Sequence, residues 1–408
     1  MLRFLTAGES HGPGLVTILE GLPAGLTVDI DAMTLELRRR QGGYGRGRRM
    51  VIESDRAEVL SGVRRGRTTG APVALLVRNK DWENWQNTMH VEPQAPAGAT
   101  GANRAAVVRP RPGHADLAGA LKYDHDDIRD VLERASARET AARVAAGAIA
   151  RQLLAAIGCE LTSHITGIGG VVVAPGTHVT FEAATAMDLE APLRCTDKAL
   201  EQQMMATIDA AKEAGDTLGG SFEVIARNVP VGLGSYVQWD RKLDGRLAQA
   251  LMSIPAIKAV AVGDGVEGAR RPGSQVHDEI VADTAAAAAG LPVLKRPTNR
   301  AGGLEGGVTN GEELRVTGFM KPISTLMKPL RSVDLTTLEE APAAIERSDV
   351  CAVPAAAVVA EAMVSLVLAD AVLERFGGDS MADLLARVND ANTKIRGRLS
   401  RRPSTARV

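Results

Sequence analysis

Two histidines stand in glycine-bounded loops, where an imidazole can face a ligand. His11 lies in AGESHGPG, flanked by Gly8, Gly12 and Gly14, and His114 lies in RPRPGHAD. Glycine allows backbone to come close to a bound molecule. An imidazole exchanges protons near neutral pH, which suits general acid–base work. Beside His114, Arg109 and Arg111 make the loop cationic, and Asp116 is placed to orient the ring. Taken alone, either motif reads equally well as a solvated loop. The other five histidines, His90, His125, His164, His178 and His277, have no such company and read as structural or surface residues. No pair has the H-E-x-x-H spacing of a zinc site.

The second chemical signal is RRRQGGYGRGRRM, Arg38–Met50, with six arginines in 13 residues. Arg38, Arg39 and Arg40 end a predicted helix, where the dipole favours cations and a solvated cap would suffice. Arg46, Arg48 and Arg49 follow the GGYG turn and run into the predicted strand RMVIES. An arginine–glycine tail that binds RNA is longer, repetitive and unstructured. Guanidinium forks match carboxylate and phosphate oxygens in pairs. Two close cations repel by up to ~4 kcal/mol at an effective dielectric of ~20. Such a cluster is best tolerated around an anion, so it predicts a pocket for a small, multiply charged molecule.

Composition narrows the choice. The net charge is −1 and aromatics make up 3% of 408 residues, which argues against nucleic acid as a partner. Cys159, Cys195 and Cys351 are far apart, so neither a disulfide framework nor a zinc site is indicated, and a reducing cytosol fits. The longest apolar stretch, AVPAAAVVAEAMVSLVLADAVL, is interrupted by Glu361 and Asp370 and reads as a core helix, so no membrane span is expected. Walker and strand-linked GxGxxG motifs are absent, which argues against ATP and Rossmann-type dinucleotide sites.

These residues need elements to position them. Helical periodicity covers Asp31–Arg40, Glu133–Ile157, Thr196–Ala214 and Val353–Phe376. Small residues in TAARVAAGAIARQLLAAIG predict close helix packing. Arg134 and Ser136 are expected to open one core helix, and Arg347 and Asp349 another. Free N–H groups there would suit phosphate, although plain capping by Ser136 and Asp349 serves as well. Strand candidates are LVTILEGL, RMVIES, APVALLVRN, ELTSHITGIG, SFEVIARNV, AIKAVAVGDG and ELRVTGFM. Several alternate apolar and polar residues, which predicts antiparallel sheet. Segments around Ala95–Ala102 and Asp283–Arg300 read as surface loops of one domain. GGLEGGVTNG and MKPIST add a glycine-rich turn and a Lys-Ser-Thr cluster.

An internal echo pairs Gly8–Leu26 with Gly215–Leu233, and Glu133–Ser136 with Glu346–Asp349. It predicts a single domain over 1–408 with duplicated halves near 1–160 and 210–380, and a tail from about 389 to 408. The echo breaks at His11, which faces Leu218. One chemically armed copy is what an asymmetric site would leave.

Together, GESHGPGLVTILEGLP, ERASARETAARVAAG and RSDVCAVPAAAVVAEAM resemble the three signature regions of the chorismate synthase family. RRRQGGYGRG, RPRPGHAD, GDTLGG, NRAGGLEGG and MKPIST fit it too, over about residues 1–380. The resemblance implies an α/β fold: a β-α-β sandwich, helices between antiparallel sheets, internally duplicated. It implies a lyase that makes chorismate from 5-enolpyruvylshikimate-3-phosphate by 1,4-anti elimination of phosphate, the last step of the shikimate pathway. Reduced FMN is required there without net redox change. His11 would protonate the departing phosphate, His114 would supply a proton to the flavin, and Asp349 would assist removal of the ring proton. Ser10, Arg40, Arg46, Arg48 and Arg49 fall at substrate-binding positions, Arg48 more weakly; in parts of the family Arg40 and Arg46 are assigned to NADPH. Arg134, Ala135, Ser136, Pro255, Ala256, Gly306, Lys321, Pro322, Ile323, Ser324, Thr325 and Arg347 match FMN positions. Arg138 reads as a structural or interface residue. A homotetramer in the cytoplasm, supplied by an external flavin reductase, is the further expectation. An RNA-binding module and a flavin-dependent reductase are the competing readings.

Overall fold

The structure is a computed structural model and describes residues 1–47, 54–189, 191–283, 294–346 and 348–400. Arg48, Arg49 and Arg347 lie outside the described residues, as do all of the predicted strand RMVIES but Ser54 and part of the predicted loop Asp283–Arg300.

Two sheets enclose a helical layer. The first holds β1 (Arg3–Ala7), β2 (Gly14–Glu20), β3 (Ala57–Val59) and β4 (Val73–Arg78) in the order β1-β2-β4-β3. The second holds β5 (Glu160–Ile168), β6 (Val171–Val172), β7 (Gly220–Arg227), β8 (Ile257–Val262) and β9 (Leu314–Met320) in the order β8-β9-β7-β5-β6. All neighbouring strands are antiparallel. In β2 the alternation is clean: Leu15, Thr17 and Leu19 are buried while Ile18 and Glu20 are exposed. Thr17 satisfies its buried hydroxyl by donating to the Ala142 carbonyl at 3.0 Å.

Among the described residues, the α-helices of six residues or more are α1 (Ile30–Gln41), α2 (Asp116–Tyr123), α3 (Arg129–Arg134), α4 (Thr140–Ala156), α5 (Lys198–Glu213), α6 (Leu243–Met252), α7 (Val353–Phe376) and α8 (Met381–Ser400). Helix α4 packs on β2 and β4, α7 packs on β5, β7 and β9, and the two helices pack on each other. This is the sheet–helix–sheet order the resemblance implies. The small residues set the spacing: a Cβ at Gly147 would lie 2.3 Å from the Cβ of Ala362 and 2.8 Å from its carbonyl oxygen. Helix α7 is apolar and long enough to cross a membrane, yet 89% of its most apolar window is buried inside the fold.

Glu361 interrupts that apolar helix for a structural reason. It accepts from Arg39 Nη1 and Nη2 (2.9 and 2.7 Å), Arg151 Nη1 (2.5 Å) and Ser163 Oγ (2.6 Å). Burial opposes its charge, and the guanidiniums of Arg39 and Arg151 outweigh burial, holding the carboxyl below its usual range. Arg39 therefore faces the core and not a ligand.

The two Pro-x-Gly-Leu turns paired in the echo carry the same hydrogen bonds. Gly25 N and Leu26 N donate to Thr68 O and Oγ1 (2.8 and 2.9 Å), and Thr68 Oγ1 donates to Pro23 O (2.6 Å). Gly232, Leu233 and Pro230 repeat this around Thr309 at 2.8, 2.8 and 2.7 Å.

Several expectations need correcting. The predicted helix Glu133–Ile157 is broken: α3 ends at Arg134, a single 3₁₀ turn spans Ala137–Glu139, and α4 starts at Thr140. Arg134 thus closes one helix, and Ser136, with extended backbone, caps the 3₁₀ turn by accepting from Arg138 N. Asp349 does not open the late helix, which starts at Val353 after Ala352 with Pro354 in its first turn. Of the expected tail from 389, the described residues 389–400 continue helix α8, which is anchored by buried Leu384 and Val388. Strand β1 and helix α6 were not expected.

Candidate active site

The turn between β1 and β2 presents His11. Ser10 N donates to Glu133 O at 3.0 Å, and His11 N donates to Glu133 Oε2 at 2.8 Å. The His11 Nδ1 atom lies 2.8 and 3.0 Å from the two Glu133 carboxylate oxygens. The imidazole stacks on Trp85, with centroids 3.8 Å apart and planes 20° from parallel. Arg134 donates to Gly8 O and Thr6 O at 3.1 and 2.8 Å, so its guanidinium braces this turn. Ser136 Oγ donates to Ser10 Oγ at 3.1 Å. Asn79 Nδ2 donates to Glu9 O and Gly12 O at 3.0 and 2.8 Å.

From Asn79 the network continues into the arginines. Arg138 Nε donates to Asn79 Oδ1 at 2.9 Å, and its Nη1 reaches both Asp55 oxygens at 2.6 and 2.7 Å. Arg40 Nη2 donates to Asp55 Oδ2 at 3.0 Å. Burial, then the charges of Arg138 and Arg46, oppose the charge on Arg40; Asp55 supports it only in part, and the guanidinium is pulled down to about 10. Arg40, Arg46 and Arg138 thus form one cationic group, with Asp55 bonded to Arg40 and Arg138. Its other edge is Asp349, which accepts from Gly47 N at 2.6 Å and pairs with Arg46 Nε at 3.4 Å. The Gly45 carbonyl accepts from Val350 N at 2.8 Å, so the GYGRG turn lies along the segment before α7. A Cβ at Gly47 would come within 2.9 Å of Ser348 O, which leaves room only for glycine.

His114 sits at the start of α2. Its Nδ1 is 2.5 Å from Asp116 Oδ1, and Arg111 grips the same carboxylate through Nε (2.8 Å) and Nη2 (3.1 Å). That short approach requires a proton on Nδ1, so the 3.1 Å approach of Arg111 Nη2 to the same nitrogen is a contact and not a hydrogen bond. Burial opposes the Asp116 charge, and the hydrogen bonds from His114 and Arg111 hold its carboxyl well below the usual range. Arg111 Nη1 donates to Thr325 Oγ1 at 2.8 Å, and Lys321 Nζ donates to Gly113 O at 3.0 Å. The 321–325 segment therefore lies against the His114 turn. Lys321 N donates to Ala256 O at 2.9 Å, which brings Pro255 and Ala256 alongside. Ala256 adopts φ +67, a left-handed conformation that a residue with a Cβ rarely takes. Burial and the neighbouring Lys258 lower the Lys321 ammonium, and neither lysine has an ion pair among the described residues. Two cations without a carboxylate beside a strained turn fit a phosphate-bearing cofactor. A Cβ at Gly306 would meet only Tyr236, at 3.9 Å.

A profile of the family described as chorismate synthase matches residues 2–373. The chain belongs to the chorismate synthase family. It is 58% identical over 379 residues to the chorismate synthase of Moorella thermoacetica, covering 93% of this chain and 95% of that one. It is 55% identical over 385 residues to that of Geobacter sulfurreducens, at 94% and 96% coverage. A crystal structure of a chorismate synthase is similar at a TM-score of 0.75 and 41% identity, covering 97% of this chain and 98% of that one. Family membership carries the reaction class: a lyase at the final step of the shikimate pathway, acting on 5-enolpyruvylshikimate-3-phosphate.

In this member of the chorismate synthase family, three residues to which the sequence gave no chemical role join the candidate site: Glu133, Trp85 and Asp55. Glu133 and Asp55 are single acids in ordinary surroundings, and only the fold brings them to His11 and to Arg40. A signal existed for Trp85, one of three tryptophans in a chain with 3% aromatics.

Proposed function

We propose that this chain performs the family's elimination with its substrate held by Ser10, Arg40, Arg46, Arg48 and Arg49. The observation that carries the reading is the gathering of Arg40, Arg46 and Arg138 close to the His11 turn, where the charges of Arg138 and Arg46 oppose that of Arg40. A substrate with two carboxylates and a phosphate relieves that repulsion. FMN would be held by Arg134, Ala135, Ser136, Pro255, Ala256, Gly306, Lys321, Pro322, Ile323, Ser324, Thr325 and Arg347. Bound there, reduced FMN would supply transient electron density, the chemistry behind a cofactor requirement without net redox change.

The chain's own residues handle the protons. The C–O bond to phosphate breaks with its electron pair on the leaving oxygen, and His11 Nε2 supplies the proton that phosphate takes. Asp349 assists loss of the ring proton, and the electrons of that C–H bond enter the new double-bond system. His114, with Nδ1 engaged by Asp116, supplies a proton to the cofactor from Nε2. Proton transfer of this kind contributes ~10²–10⁴-fold each. Reduced FMN comes from an external reductase and the chain assembles as a cytoplasmic homotetramer; failure to oxidise NADPH with FMN present, and the mass in solution, test these two points.

The test is an anaerobic incubation with reduced FMN and the enolpyruvyl phosphate. Chorismate and phosphate are expected in equal amounts. Absence of both products overturns the assignment.

A further inference from the structure

We propose that Glu133 is a positioning residue for the elimination: it holds the His11 ring with the Nδ1 proton inward, so that Nε2 is the nitrogen that meets the leaving group. This rests on the reading of His11 as the proton donor to phosphate.

Glu133 grips the turn at three places. Its main-chain carbonyl takes Ser10 N at 3.0 Å, Oε2 takes His11 N at 2.8 Å, and Oε1 lies 2.8 Å from His11 Nδ1. Its side chain is fully buried, while that of His11 keeps 15% of its surface exposed. A carboxylate so placed accepts but does not donate, so Nδ1 must carry the proton. The tautomer and ring direction follow from that, as when a carboxylate orients a catalytic imidazole.

Rotation about the ring is blocked from the side. Trp85 covers one imidazole face at 3.8 Å and is 6% exposed. Trp85 is itself fixed, since Nε1 donates to Asp81 Oδ2 at 3.2 Å and the Arg104 and Arg129 guanidiniums lie 4.0 and 5.4 Å from its ring centroid. The groups facing the imidazole are thus Glu133 from α3, Trp85 from the turn after β4, and its own glycine loop. Among the described residues no protein group takes Nε2. His114 is built alike, with Asp116 on Nδ1.

The proton balance is simple. His11 enters as imidazolium with protons on both nitrogens. As the C–O bond breaks, the Nε2 proton passes to a phosphate oxygen. The ring is left neutral with Nδ1–H still on Glu133, whose charge does not change.

A double-mutant cycle on turnover distinguishes this from a merely structural role. Glu133→Gln is expected to lower kcat on the order of 10²-fold, the scale of general acid–base help, with KM nearly unchanged. In the His11→Ala background the same substitution is expected to cause no further loss, because residues acting as one unit are not additive. A full additional loss in the double variant would show that Glu133 serves the fold and would overturn the proposal. If Glu133→Gln does not fold, Glu133→Asp, which draws the carboxylate back from Nδ1, enters the same cycle with the same two outcomes. Near-normal turnover in His11→Ala would remove His11 from the mechanism and this inference with it; additive losses on a slow His11→Ala would remove this inference alone.

Discussion

Arg40 and Asp349 stand at two edges of one cationic group and are expected to fail differently. Arg40→Ala should weaken binding of the enolpyruvyl phosphate by about 1.5–3 kcal/mol, the range for a charged hydrogen bond. Arg138 remains on Asp55 in that variant, so the local network persists. Calorimetric titration checks it, and unchanged affinity places the guanidinium outside the pocket. Asp349→Ala should reduce kcat with a much smaller effect on that affinity; a pure affinity loss contradicts a role in proton removal. At this scale the sequence was readable where chemistry and local context coincide. His11, His114 with Asp116, and the arginine cluster announce themselves by type and by neighbouring glycines. Glu133 and Asp55 do not: the partner of Glu133 lies 122 residues away, and those of Asp55 lie 15 and 83 residues away with no periodic pattern to join them. Arg39 misleads in the other direction, since a guanidinium bound for Glu361 looks locally the same as one bound for a ligand.

At the scale of elements, the contact between α4 and α7 is the one most exposed to a small change. Gly147→Ala should lower stability by about 1–3 kcal/mol, the usual effect of overpacking, because the new methyl meets backbone and Cβ of Ala362. Urea midpoints measure this, and an unchanged midpoint would mean the helices part at no cost. Glu361→Gln should cost about 3 kcal/mol at neutral pH by removing the buried carboxylate between Arg39 and Arg151 and leaving them Glu36 at the edge of the core. The pH sign follows from its depressed carboxyl: the contribution is complete above the ordinary value of 4.5 and is lost as pH falls below it. The variant should therefore lose less stability than the parent between neutral and strongly acidic pH; equal acid sensitivity contradicts the account. Alanine spacing made both core helices legible, with α7 matching Val353–Phe376 at both ends. The break at Ser136 was not, because a side chain capping its own turn leaves no mark on apolar periodicity. Helix α8 escaped notice because few of its residues are buried, and apolar spacing is a weak signal in such a helix.

For the molecule as a whole, the antiparallel character of the sheets was legible in strand alternation, but their orders were not. Strand β4 joins β2 across more than fifty residues, and β9 joins β7 across more than eighty. Nothing local specifies such partners. The repeated turn at Pro23 and Pro230 was visible because glycine and proline hold fixed backbone positions there. The architecture gathers cations from α1, the GYGRG turn and the 3₁₀ turn before α4, and the proposed polyanionic substrate would sit against that group. The reaction assigned to it moves phosphate without net electron transfer. The direct test is an anaerobic mixture of the protein, excess enolpyruvyl phosphate and limiting reduced FMN, following phosphate and flavin absorbance together. Many phosphates released per flavin, with the flavin reduced at the end, is the predicted result; one flavin oxidised for each phosphate released would contradict it.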